Sequence, residues 1–120
     1  MIVLDHTIVP AKDKVQSAEF FARIFGLEFQ SVSGHFAPVK VNDTLTLDFD
    51  NRDTFDHHHY AFCVTDSEFD AIFDRVKTEN IPYGSEPRNQ DNMQTNNRRG
   101  GRGFYFKDPN GHSLELLTRV

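Results

Sequence analysis

The chain has 120 residues, 38% of them hydrophobic, with a formal net charge of −5 and one cysteine. That length fits one domain burying roughly two-thirds of its unfolded surface, and the acidic balance argues against a nucleic-acid partner, which requires a basic face. Cys63 cannot form an internal disulfide, no run approaches the roughly 20 apolar residues of a membrane span, and no basic and apolar leader opens the chain, so a cytoplasmic protein is expected.

Ile2 to Val9 is rich in β-branched residues and meets Pro10, which predicts a strand. A helix should follow, with Asp13 as its N-cap and Gln16 three residues on. Val15, Ala18, Ala22 and Phe25 recur at helical spacing, and Gly26 is placed to stop the helix. Leu27–Ser33, His35–Val41 and Thr44–Phe49 are predicted as three short strands, turned at Gly34 and at Asn42-Asp43. The first half thus reads βαβββ.

The second half repeats the order. His59–Val64 is a strand, and Thr65 with Glu68 forms a capping box. Phe69, Ile72, Phe73 and Val76 draw an amphipathic helical stripe. A strand should start within Asn80–Tyr83. Gly84 to Arg102, dense in Asn, Gln, Arg and Gly, is predicted as an irregular segment that acts as a mobile flap. Gly103–Lys107 and His112–Thr118 read as strands joined by the turn Asp108-Pro109-Asn110-Gly111. The expectation is one α+β domain over residues 1–120, made of module 1 (1–54) and module 2 (55–120).

The two halves are copies of one pattern. His6 and His59 are offset by 53 residues, as are Asp13 and Asp66, while Phe21-Ala22-Arg23-Ile24 and Phe73-Asp74-Arg75-Val76 are offset by 52. By strand alternation, Glu115 shares a face with Ser113 and Leu117, opposite Leu114 and Leu116. A carboxylate set among apolar strand residues is costly to bury alone, so it faces water or a cation. Two histidines and one carboxylate are a minimal set for an open divalent-metal site, and His6, His59 and Glu115 are the candidates. His57 is a minor alternative ligand, whereas His112 should face away from the site. Arg98, Arg99 and Arg102 are candidates to bind an anionic group of a substrate.

Leu4-Asp5-His6-Thr7-Ile8-Val9, His59-Tyr60-Ala61-Phe62-Cys63-Val64 and the run from Phe104 through Asp108-Pro109-Asn110-Gly111-His112-Ser113-Leu114-Glu115 resemble the vicinal oxygen chelate superfamily. That group includes glyoxalase I, fosfomycin-resistance thiol transferases, extradiol dioxygenases and bleomycin-resistance proteins. The resemblance spans nearly the whole chain. It implies paired βαβββ modules forming a cupped mixed sheet around one divalent ion, which could be nickel, manganese, iron(II) or zinc. It implies His6, His59 and Glu115 as ligands, with Glu115 doubling as a catalytic proton acceptor. Where glyoxalase I usually carries a fourth ligand, a glutamate, this chain offers Thr46 or Asp48. Both are candidate substrate contacts, as is Tyr105. The expected function is a metal-dependent lyase, thiol transferase or dioxygenase acting on a small oxygen-bearing substrate as a homodimer. The alternative is a non-catalytic module that sequesters a small molecule.

Overall fold

Alternating burial in the strands shows how the sequence builds its sheets. In a computed structural model describing all 120 residues, β3 (Thr46–Asn51) lies parallel to β1 (His6–Ala11) and antiparallel to β2 (Ala37–Lys40). The order is β1-β3-β2. Val9, Ala11, Ala37, Val39, Leu47 and Phe49 are all buried on one face. Against that face packs α1 (Lys14–Phe25). His6, Ile8, Pro38, Lys40, Thr46 and Asp48 have the opposite parity and lie on the face free of helix.

The predicted signals for α1 act as expected at both ends. The Asp13 side chain accepts from the backbone N–H of Val15 and Gln16. Gly26 turns left-handed at φ 71° and donates to the Ala22 carbonyl, a conformation that favours glycine. The buried stripe is Ser17, Ala18, Phe21, Ala22 and Ile24, with Val15 and Phe25 at its margins rather than its centre. Phe21 stacks on Phe25 at 4.2 Å and tilts against Phe49 at 6.0 Å.

One expected strand does not form. Leu27–Ser33 makes a single rung, Ser33 with Phe36, and no ladder beyond it. The turn through Gly34, at φ +59°, closes that rung. Beyond it, Gln30, Ser31 and Val32 are all exposed, so no buried face holds a register.

The second sheet has the order β4-β7-β6-β5, from β4 (His59–Cys63), β5 (Tyr83–Gly84), β6 (Gly103–Lys107) and β7 (Ser113–Leu117). Its buried face carries Tyr83, Phe104, Phe106, Leu114 and Leu116. Here α2 (Asp66–Thr78) docks through aromatic rings: Phe69 meets Phe104 edge-on at 5.4 Å, and Phe73 lies 4.9 Å from the same ring. The capping box is complete, with Glu68 N–H donating to Thr65 Oγ1 at 3.2 Å and Thr65 N–H donating to Glu68 Oε1 at 2.9 Å. The Asp108–Gly111 turn is closed by Asp108 Oδ1, which accepts from the backbone of Asn110 and His112.

The chain forms two compact units, Met1–Asp56 and His57–Val120, each with one of these mixed sheets and its helix. The segment 84–102 departs from the expected flap. It is stitched down along its length. Met93 N–H donates to the Tyr83 carbonyl, Asn96 exchanges two backbone hydrogen bonds with Gly103, and Asn96 Nδ2 donates to the Ser85 carbonyl. Gln90 Nε2 reaches Ser113 Oγ at 3.0 Å. The polar residues that made this stretch look solvated are its internal fasteners.

Candidate functional site

On the helix-free face of the second sheet, strand register sets two rows. His59, Ser113 and Lys107 are partners across β4, β7 and β6; Ala61, Glu115, Tyr105 and Gly84 form the next row. His59 and Glu115 are therefore diagonal neighbours on adjacent strands, within reach of long side chains. They meet, with His59 Nε2 2.9 Å from Glu115 Oε1. The Glu115 side chain is only 13% exposed, against 50% for His59, so the carboxylate sits at the base and the imidazole at the rim.

Two atoms each about 2.1 Å from a metal ion and at a right angle to one another stand about 3.0 Å apart. The His59–Glu115 spacing fits adjacent positions on one ion. A nitrogen and a carboxylate oxygen also suit a borderline divalent metal. Each is a donor type that zinc, manganese, iron or nickel sites use.

Tyr105 is fully buried on this same face, beside Arg98 of the 84–102 segment. Arg98 Nη1 donates to its hydroxyl at 2.7 Å, with the guanidinium carbon 5.4 Å from the ring centre. Arg98 Nη2 donates to Glu86. Tyr105 and Glu115 are direct cross-strand partners on this face. Burial first, and the Glu115 charge second, hold that phenol neutral above its ordinary range, partly opposed by Arg98. The face thus carries two polar groupings, Glu86–Arg98–Tyr105 and Glu115–His59.

His6 lies in the first unit, at the start of edge strand β1, and is exposed. Its Nδ1 contacts Asp5 Oδ2 at 2.8 Å. That hydrogen bond raises the His6 pKa, and the charges of Asp5 and Asp48 add to the effect. An imidazole held through Nδ1 by a carboxylate presents Nε2 outward, the arrangement that metal-binding histidines commonly have. Thr46 is the β3 partner of His6, and Asp48 lies two residues further along the same face. An open cavity of about 530 Å³ borders Thr46, between Lys40 and the Glu28–Ser33 segment.

The sequence-predicted residues thus fall into three sets. His59 pairs with Glu115, and Arg98 with Tyr105, on one sheet face. His6, Thr46 and Asp48 are neighbours in the other unit. Arg99 is exposed, in left-handed backbone at φ 56°, and Arg102 is turned away. Arg102 Nη1 donates to Asp70 Oδ1 at 2.8 Å, Nη2 contacts Asp66, and its guanidinium lies 4.3 Å from the Phe69 ring centre. It fastens the segment to α2 through two carboxylates and an aromatic face. No three His, Cys, Asp or Glu side chains of the chain gather into a metal-holding cluster.

His112 is fully buried, and its Nδ1 accepts from His58 N–H at 2.9 Å. It serves the turn, and His57 packs edge-on against it. Sequence reading missed Asp5, Glu86 and Gln90. Glu86 alone left a signal, as a carboxylate just ahead of an arginine-rich run.

Comparison with known proteins bears on this geometry. The family described as Glyoxalase/Bleomycin resistance protein/Dioxygenase superfamily matches residues 3–116. Among solved structures, the oxidase ChaP-H2 is 43% identical with a TM-score of 0.94, covering 99% of this chain and 94% of that one. The oxidase ChaP-H1 is 42% identical with a TM-score of 0.94, covering 100% and 98%. The glutathione transferase FosA of Serratia marcescens is 26% identical over 94% of this chain and 78% of its own length.

Proposed function

Because the chain belongs to the Glyoxalase/Bleomycin resistance protein/Dioxygenase superfamily, we propose that it is a divalent-metal-dependent enzyme that oxidises a small substrate through that substrate's oxygen atoms. The observation that carries this reading is the 2.9 Å convergence of His59 Nε2 and Glu115 Oε1 on a helix-free sheet face. His6, its Nδ1 held by Asp5, would be a further metal ligand of the chain. When bound, the ion supplies Lewis acidity to substrate oxygens at the positions the protein leaves open.

The chain's own residues do the rest. Glu115 would neutralise part of the ion's charge and tie the site to β7. Tyr105, held neutral, keeps its hydroxyl as a hydrogen-bond donor at the base of the site. Thr46 and Asp48 contact the substrate beside His6. Arg99, an exposed cation of the 98–102 run, draws anionic substrates toward the site. Oxidation is favoured over thiol transfer because the relatives named as oxidases share 42–43% identity over nearly the whole chain, against 26% for the thiol-transferring relative.

One observation favours the alternative of a non-catalytic, ligand-sequestering module: no three ligand-type side chains of the chain gather into a metal-holding cluster. Oxygen uptake separates the two. Protein loaded with iron(II) or manganese and given a panel of catechols and hydroquinones should consume oxygen. The same protein given fosfomycin with a thiol, or an α-oxoaldehyde with a thiol, should form no adduct. Turnover only in the thiol assays would reassign the reaction class. Tight binding of panel compounds without metal or turnover would support sequestration.

A further inference from the structure

We propose that Lys107 and Arg88 bind a carboxylate of the substrate at the end of the site away from His59, a subsite that rests on the metal-enzyme reading above for what occupies it.

Strand register places the two ends. Lys107, Ser113 and His59 are direct partners across β6, β7 and β4, on the helix-free face. Two strand spacings put the lysine and histidine backbones about 10 Å apart. Lys107 borders an open cavity of about 520 Å³, a volume suited to a small molecule. Pro82 and Pro87 give that cavity an apolar wall, and Arg88 and Asp91 join Lys107 as its charged residues. Gln90 lines it too, and donates through Nε2 to Ser113 Oγ at 3.0 Å and to the Pro87 carbonyl at 2.9 Å. Gln90 thus ties the cavity to the middle of the row that ends at His59.

Charge decides what the cavity takes. Residues 84–102 form a strap held across the helix-free face by Gln90 and Arg98. Within it, Arg98 is engaged by Glu86 and Tyr105, and Arg102 by Asp66 and Asp70. Arg88 and Lys107 are exposed and held in no ion pair. Asp91 is the single carboxylate of the lining, so two cations leave a net positive charge. The first unit supplies the contrast. His6, Thr46 and Lys40 repeat the same row across β1, β3 and β2, and Lys40 also borders a cavity. There the other charged lining residue is Glu28, so the charges cancel. An anion therefore goes to Lys107 and Arg88, where the guanidinium can take a carboxylate bidentately. The substrate class that follows is an aromatic diol acid, with oxygens for the ion at the His59 end and a carboxylate at the other.

A titration without metal tests the subsite apart from the ion. Protocatechuate and its uncharged amide differ in charge at one group. Their affinities are measured by NMR on metal-free wild type, Lys107→Gln, Arg88→Gln, the double variant and Lys40→Gln, each checked for an unchanged unfolding midpoint. At low salt, wild type should bind the acid roughly tenfold more tightly than the amide, since the charged contacts are partly exposed. Added salt should shrink that preference. Each single substitution should remove part of it, the double variant all of it, and Lys40→Gln none. Equal affinity for acid and amide in wild type, or no binding of the acid, overturns the subsite and leaves the metal reading untouched. A preference that survives the double variant, or that Lys40→Gln abolishes, overturns its assignment to this cavity. The predicted preference in a protein that takes up no metal would uphold the anion site and overturn the metal-enzyme reading instead.

Discussion

Gly84→Ala should loosen the strap by adding one methyl group. A Cβ built at Gly84 would lie 2.0 Å from the Asn89 carbonyl oxygen, 2.6 Å from Gln90 Cα and 2.7 Å from Asn89 C. All three are backbone atoms, so no rotamer change relieves the contact. The 89–90 backbone must retreat by more than an ångström to restore ordinary separations. Asn89 and Glu86 exchange hydrogen bonds of 3.0 and 3.4 Å, and Gln90 reaches Ser113. Two net hydrogen bonds at about 1 kcal/mol each, plus overpacking strain of about 1–2 kcal/mol, give a destabilisation of about 3–4 kcal/mol. For a chain of this size that is a drop of roughly 10–20 °C in Tm. Chemical denaturation of the metal-free protein measures it, with Gly34→Ala as the control. A Cβ there meets nothing within 4 Å, so only the strain of φ +59° applies, about 1 kcal/mol. Equal costs at the two glycines, or a Gly84→Ala cost below about 0.5 kcal/mol, would refute the close-approach reasoning.

Arg102→Gln should lower stability by at most about 1 kcal/mol, since its ion pairs are partly exposed, and leave metal affinity unchanged; a metal titration and a denaturation curve check both. Thr65→Ala should cost about 1 kcal/mol of stability by opening the capping box of α2, measured by the same denaturation. Burial, and then the Asp108 charge, push the Tyr60 phenol up from 10.0 to about 12. Its contribution is therefore complete below pH 10 and is lost as pH rises toward 12. Tyr60→Phe should flatten the alkaline fall in stability across that window, and an unchanged slope would remove Tyr60 as its source. Both first-strand histidines lie on sheet-edge strands that need cover, so sedimentation equilibrium should give twice the 13.8 kDa chain mass; a single-chain mass would reject the homodimer.

Local signals were the most legible part of the fold. Asp13, Thr65 with Glu68, Gly26 and the Asp108–Gly111 turn each act through backbone within a few residues, so sequence spacing alone identifies them. The strand expected at Leu27–Ser33 failed because a strand is defined by its partner, and no buried face pins this one. The repeat brought out His6 and His59, and alternation brought out Glu115, because each of those features is periodic. Arg98 and Arg102 looked alike in sequence and diverge in structure. One reaches Tyr105 across the sheet face, while the other folds back on α2. That choice depends on how the 84–102 segment is stitched, a set of long-range hydrogen bonds that leaves no periodic trace.

The central claim is that His59 and Glu115, with His6, hold one divalent ion. Metal content by plasma mass spectrometry, after metal-replete expression and extensive dialysis, tests it most directly in wild type, His6→Ala, His59→Ala and Glu115→Ala. Wild type should hold about one ion per chain, with a severe loss in each variant and apo folding retained. Equal metal content in wild type and Glu115→Ala, or none in wild type, would contradict it.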